Sequence, residues 1–376
     1  MRLNYLILKL IAVIVLFFGL SNCNQNFESA KPVEFENMIE FSYAKGLKIY
    51  ETNEGHVVTI SNPNSGKILD HFIITKNSKS NISNIKTIQT PINRVLAYSS
   101  TYITFLDALD QVEKIKGVTY SQGISNEKIN QQLETDSTID VGSDQSPNKE
   151  LIVSLKPDLA LIYPSNGNHD WFSSFDIPTI INVEYLEIHP LAQAEWIKLY
   201  GILFNKQQTA DSIFNSIESS YNANRINDSS KTKPVILCGE LYDNVWTLPG
   251  GNSFINQLIK DAGGEYFLTN DTTSGSRKLD FEYILQHDSV IDYWMLLSYN
   301  PKEITYSLLK ENQPRYSYLS VFKPNKISIC NTAITPYFET SILDPHLLLN
   351  DIKSFIYRDE KAEYHYFSPL EKQVMY

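Results

Sequence analysis

The feature that most constrains this chain is a rhythm that is interrupted once. From Arg94 onward short apolar runs alternate with helical segments; the alternation stops near residue 191 and resumes at Pro234. Between them lies the longest stretch without a strong breaker, residues 191–224, which Gly201 and the Asn205-Lys206 pair divide into two helical parts. Strands alternating with helices predict right-handed βαβ units and a mostly parallel sheet. Two such series around a strand-free interval predict two α/β lobes joined by a single long helix. In the first series, residues 94–98, 115–119, 159–163 and 177–183 read as strands and 101–109 and 150–155 as helices. In the second, 235–238, 290–297 and 327–330 read as strands, and 253–262, 281–286, 304–310 and 347–357 as helices.

The segments before Arg94 have a different character. Arg2 and Lys9 precede or flank an apolar run over 10–20, a charged n-region and an h-region of secretory length. The run is too short for a permanent spanning helix. It leads into Leu20-Ser21-Asn22-Cys23 and then polar Asn24-Gln25-Asn26, which resembles a bacterial lipobox whose Cys23 thiol is acylated. The competing reading is an uncleaved anchor with an incidental cysteine. Leu47-Lys48-Ile49-Tyr50 and Val57-Val58-Thr59-Ile60 flank Asn53-Glu54-Gly55, a hairpin signal, and 72–74 reads as another short strand. The organisation expected is a signal peptide at 1–22, a tether at 23–38 and an antiparallel β appendage with its linker at 39–83. An α/β lobe at 84–188, a helical connector at 189–230 and a second α/β lobe at 231–376 follow.

Composition excludes several classes of function. The 376 residues are 42% hydrophobic and 12% aromatic, which is far from disorder. A net charge of −11, more negative once Arg2 and Lys9 leave with the leader, argues against nucleic acid as a partner. Cys238 and Cys330 each sit in a strand-like apolar run and read as two separate core thiols. There is no phosphate-cradling or dinucleotide-binding glycine motif and no nucleophile elbow. Pro249-Gly250-Gly251-Asn252-Ser253 reads as a turn and helix cap. The seven histidines never form a close ligand pair, and His169, in a loop expected at the cleft, stands alone. Neither a catalyst, a metal site nor a cofactor site emerges.

Several blocks carry a resemblance. Arg94-Val95-Leu96-Ala97-Tyr98-Ser99, Lys116-Gly117-Val118-Thr119, Asp140-Val141-Gly142 and Asn148-Lys149-Glu150-Leu151 come in order, the last running into Leu155-Lys156-Pro157-Asp158. Trp246-Thr247-Leu248-Pro249-Gly250-Gly251-Asn252-Ser253-Phe254, Asp261-Ala262-Gly263-Gly264-Glu265 and Leu279-Asp280-Phe281-Glu282 follow. Together, over 91–358, they resemble the periplasmic binding proteins that serve iron-siderophore, haem and cobalamin ABC importers. The resemblance implies a metal-chelate or corrinoid ligand bound between lobes and an ABC permease dimer as partner. It also implies a monomer held at a membrane by its lipid, in the envelope or periplasm of a Gram-negative bacterium. It further implies that Glu150 and Glu282, one on each lobe, dock onto the permease; each also fits an ordinary glutamate at a helix start.

Cleft residues are expected after strand ends. In the first lobe these are Ser99, Ser100, Thr101, Tyr102, Tyr120, Tyr163 and Trp171; in the second they are Trp246, Arg277, Trp294 and Tyr337. Their aromatic character favours a large ligand held by stacking and hydroxyl hydrogen bonds. Only Arg277 among six arginines falls in an expected cleft loop, which disfavours a highly anionic chelate such as ferric citrate. A scavenging or sensory protein with the same cleft, and an exported hydrolase on a two-lobed scaffold, are the competing readings.

Overall fold

The computed structural model describes residues 35–76, 85–164, 170–226 and 232–372. The leader, Cys23, most of the tether, the polar linker at 78–83 and His169 lie outside the described residues.

The first lobe is built on a five-stranded, all-parallel sheet. Its strand order is Thr179–Ile181, Leu159–Ile162, Val95–Ala97, Ile115–Val118 and Ile139–Asp140. Leu159–Ile162 and Val95–Ala97 are buried at every position, the pattern of strands covered on both faces. Chain order reverses between these two strands, so the connections leaving their C-terminal ends diverge and open a gap there.

The second lobe repeats the plan with a different order. Glu265–Tyr266, Val235–Cys238, Tyr293–Ser298 and Ile327–Asn331 are parallel, and Ser368–Pro369 closes the edge antiparallel. Here the reversal falls between Val235–Cys238 and Tyr293–Ser298. Cys238 and Cys330 are both buried and free, on strands that Tyr293–Ser298 separates. A three-stranded antiparallel sheet of Glu240–Tyr242, Val245–Pro249 and Ser276–Asp280 is an element the sequence reading lacks. Its central strand ends in the Pro-Gly-Gly turn that dominates the local signal, and Ser276–Asp280 is too polar to read as a strand.

The lobes are joined through three consecutive helices, Pro190–Glu195, Ile197–Leu203 and Gln207–Asn224. The last has 18 residues and runs about 27 Å at 1.5 Å per residue. Its buried stripe, Ala210, Phe214, Ile217 and Tyr221, follows helical spacing. Gly201 permits the close crossing of the two longer helices: a Cβ there would stand 2.7 Å from the Ala210 Cβ. At the far end Tyr221 donates to Asp261 of the second lobe at 2.9 Å, and Arg225 pairs with the same carboxylate at 3.0 Å.

The N-terminal sheet is larger than the expected appendage. Five strands, Phe35–Ile39, Leu47–Thr52, Gly55–Ser61, Ile68–Thr75 and Lys86–Gln89, lie in chain order; the first three pairings are antiparallel and the last is parallel. The hairpin at Asn53-Glu54 forms as read. Gly55 is required there, with φ +140° and no room for a Cβ beside the Ile74 carbonyl. The sheet shares one hydrophobic core with the first lobe and the connector. It is also pinned to the lobe's edge strand: Lys86 Nζ donates to the Thr179 carbonyl at 2.6 Å, and Ile181 N–H donates to Asp70 at 3.0 Å.

Candidate functional site

Both chain-order reversals open on one crevice. Ser99 follows strand Val95–Ala97 and caps helix Ser100–Ala108 by accepting from the Thr101 N–H. Tyr163 and Pro164 follow Leu159–Ile162, and Glu184 lies just beyond Thr179–Ile181. From the second lobe Gly239 and Glu240 follow Val235–Cys238, and Leu297 lies near the end of Tyr293–Ser298. These strand ends wall two hollows of about 450 and 390 Å³. The hollows share Thr101, Glu184, Tyr185 and Phe338, so they are parts of one space. Each volume lies in the range of small-molecule sites, about 300–1,000 Å³. Another hollow of about 620 Å³ is walled by second-lobe residues alone, including Tyr242 and Tyr299, and meets the crevice at Glu240.

One side of the crevice is bridged. Thr101 Oγ1 donates to the Phe338 carbonyl at 2.9 Å, and Thr104 Oγ1 to the Glu339 carbonyl at 2.6 Å. Glu339, itself buried, accepts the Ser125 N–H at 2.8 Å. The short helix Tyr337–Thr340 of the second lobe thus sits on helix Ser100–Ala108 of the first.

The expected site residues divide into three groups. Ser99, Ser100, Thr101, Tyr102 and Tyr163 wall the smaller hollow and Tyr337 the larger. Tyr102 is buried and its hydroxyl is committed to the Ile162 carbonyl at 3.3 Å. Tyr120 and Trp171 wall neither hollow. The Tyr120 and Tyr163 hydroxyls both donate to Asp144, the latter at 2.6 Å. Trp171 stacks on Phe172 with centroids 4.1 Å apart and Lys149 Nζ 5.2 Å over its ring.

The second-lobe residues require correction. Trp246 and Trp294 are fully buried core residues, with ring centroids 5.4 Å apart, and do not face the crevice. Strand Val245–Pro249 alternates, so Trp246 turns inward while Thr247 reaches the larger hollow. The two indole N–H groups instead donate to the Cys238 and Gly239 carbonyls, each at 2.8 Å. They hold from beneath the turn that forms the crevice floor. Arg277 also fails to line the crevice. It pairs with Asp271 at 3.3 Å, while its neighbour Ser276 reaches the wall.

The reading of the sequence missed Glu184, Tyr185, Gln193, Glu240, Phe254, Met295 and Phe367 on these walls. Glu184 is the first residue past the apolar run at 177–183, and Glu240 the second past Val235–Cys238. The strand-end rule, carried a residue or two further, points to both. Glu184 is 3% exposed, and burial pushes its carboxyl up to about 7 against the pull of its own backbone N–H. Burial raises the Glu240 carboxyl as well, opposed by the hydrogen bond from Ser298 Oγ at 3.0 Å. No Lys, Arg or His is among the described residues that wall either hollow. Among the described residues no group of three His, Cys, Asp or Glu side chains is placed to hold a metal ion.

Glu150 and Glu282 are both exposed, in the first turns of helices Lys149–Leu155 and Phe281–Gln286. Asn148 caps the first helix, its side-chain oxygen accepting from the Leu151 N–H. Glu282 pairs with Arg315 at 3.3 Å.

Comparison with known proteins agrees with this architecture. The chain is 23% identical over 365 residues to an uncharacterized lipoprotein of Methanocaldococcus jannaschii, covering 89% of this chain and 86% of that one. An ABC transporter substrate-binding protein from Listeria monocytogenes superposes with a TM-score of 0.56 at 17% identity, over 71% of this chain and 100% of that chain. A protein of an ABC-type Fe3+-hydroxamate transport system from Saccharomonospora viridis superposes with a TM-score of 0.54 at 16% identity, over 70% and 94%. The family model for periplasmic binding proteins matches residues 95–312, more than half of the chain, from the first strand of the first lobe through the connector and into the second lobe. The chain therefore belongs to the periplasmic binding protein family.

Proposed function

We propose that this protein is the lipid-anchored substrate-binding component of an ABC importer. It captures an iron-siderophore, haem or cobalamin-type ligand between its lobes and delivers it to a permease dimer. The observation that carries this reading is the crevice itself, placed where the chain order of both sheets reverses and walled by residues of both lobes. Ligand binding there couples to lobe geometry, because a ligand touching both lobes favours their closed arrangement. Glu150 and Glu282 report that geometry to a docking partner, being exposed carboxylates carried by different lobes. Acylation of Cys23 provides the anchor; each buried methylene adds roughly 0.8 kcal/mol, so more than one chain holds the protein stably. The lipoprotein relative is archaeal, so the support extends to an envelope anchor and not to one type of envelope.

The decisive experiment titrates the mature protein with a ferric hydroxamate, haem and cobalamin, reading calorimetry and tryptophan emission. Saturable binding of one of them at one site per chain supports the proposal; turnover of a substrate with no binding of these sinks it. A second reading, a scavenging or sensory protein that never docks, is favoured by one observation: Glu282 already has a partner, Arg315, in its own lobe. Loss of uptake on charge reversal at both glutamates separates the two.

A further inference from the structure

We infer that the crevice is built for a ligand of zero or positive net charge that presents an ammonium or other N–H donor to Glu184. This rests on the reading of the crevice as the ligand site and narrows the class of ligand.

Three observations converge on it. Glu184 lines both hollows and is 97% withdrawn from solvent, yet its Oε2 has no hydrogen-bond partner among the described residues. Leaving a buried acceptor unpaired is costly, and a donor arriving with the ligand removes that cost. Glu240 stands on the wall contributed by the opposite lobe, with Ser298 Oγ donating to its carboxylate. Closing the lobes on a ligand therefore brings it between two carboxyl groups. Finally, no cationic side chain among the described residues of either wall offsets them, and Arg277 is turned to Asp271. An anionic chelate would lose its hydration without gaining a counter-charge.

The surroundings of Glu184 agree. Among the described residues the Glu184 carboxylate acts on the phenols of Tyr102, Tyr185 and Tyr200, none of which carries positive charge. Burial lifts the carboxyl well above its ordinary range, so near neutral pH it exchanges its proton readily. An incoming cation or other N–H donor draws it to the ionised form.

The test varies charge at constant shape. One ferric trihydroxamate is prepared with a free terminal amine, with that amine acetylated, and with it succinylated, so that only the charge of one arm changes. A metal-free arylalkylamine and its matching carboxylate run alongside. Calorimetric affinities in the order amine, acetyl, succinyl, with about tenfold or more between the ends, support the inference. Glu184→Gln should remove most of the advantage of the amine over the acetylated chelate, and Glu240→Gln provides a second variant should the first fold poorly. Equal or tighter binding of the succinylated chelate overturns the inference and leaves the transport reading standing. Binding of the arylalkylamine alone supports the charge preference and overturns the chelate reading. Binding of none of the five overturns both.

Discussion

The Tyr43 amide donates to Glu195 Oε2 at 2.8 Å, joining residues 152 positions apart in the chain. The same carboxylate accepts the Ser42 and Ala44 amides at 2.9 and 2.8 Å, and it pairs with Lys198 at 3.0 Å. Glu187 continues the series, accepting the Lys45 and Gly46 amides at 3.1 and 2.7 Å and the Trp196 indole N–H at 3.2 Å. Five consecutive backbone donors between the first two strands therefore rest on two buried carboxylates next to or within the first connector helix. The N-terminal sheet is welded to the element that joins the lobes, and this confines the part of the molecule about which they could move.

Glu195→Ala leaves three amide donors without an acceptor, each at a cost of about 1–3 kcal/mol. The expected result is a melting temperature lowered by several degrees and earlier proteolytic cleavage within residues 35–89. Thermal unfolding with limited proteolysis checks this. An N-terminal sheet that stays as protected as in the parent would refute the weld.

Charge reversal at the two lobe-surface glutamates separates docking from binding. Glu150→Lys with Glu282→Lys should leave ligand affinity within about twofold, since neither residue walls the crevice, and both are exposed enough to change stability little. Uptake in a reconstituted importer should fall by an order of magnitude or more if both carboxylates contact the permease. Uptake at the parent rate would place the docking surface elsewhere.

Trp246→Phe keeps an aromatic ring in the core but removes the N–H that holds the Cys238 carbonyl at 2.8 Å. An unpaired carbonyl and a lost hydrogen bond predict a destabilisation of about 1–3 kcal/mol. Because that carbonyl belongs to the crevice floor, affinity should also weaken several-fold. Chemical denaturation and calorimetry on one preparation read both effects; a stability loss with affinity untouched would confine the indole to the core.

Glu184 should make stability depend on pH in an identifiable direction. Its carboxyl titrates at about 7 in the folded protein against an ordinary 4.5, so the folded state holds the proton more tightly than the unfolded chain. The resulting stabilisation is fully present below pH 4.5 and declines as pH rises through 7, by on the order of 3 kcal/mol. Denaturation midpoints between pH 5 and 8 should therefore slope less in Glu184→Gln than in the parent. Parallel curves would show that the group is not withdrawn from water as described.

How much of this was legible in advance follows from the range of the forces involved. Val235–Cys238 and Phe281–Gln286 occur where the local pattern puts them, because a short apolar run or a helical stripe is written in neighbouring residues. Helix Glu127–Glu134 escaped because only Ile129 of its eight residues is buried. The rule that ligands gather at strand ends points to the region of the crevice, and Thr101, Tyr163 and Tyr337 line its hollows. Trp246 and Trp294 instead fill the core of the second lobe, where large apolar rings bury as well as they would stack on a ligand.

The sequence alone determined the two-lobed α/β plan, its family and the region of the crevice, since periodicity and motif order are local properties of the chain. Tertiary structure alone decided which side of each strand meets the cavity and which carboxylates lose their water. It also decided that a polar loop at 42–46 rests on glutamates about 150 residues away. These are outcomes of register and long-range packing, where one residue of displacement turns a side chain from core to cleft.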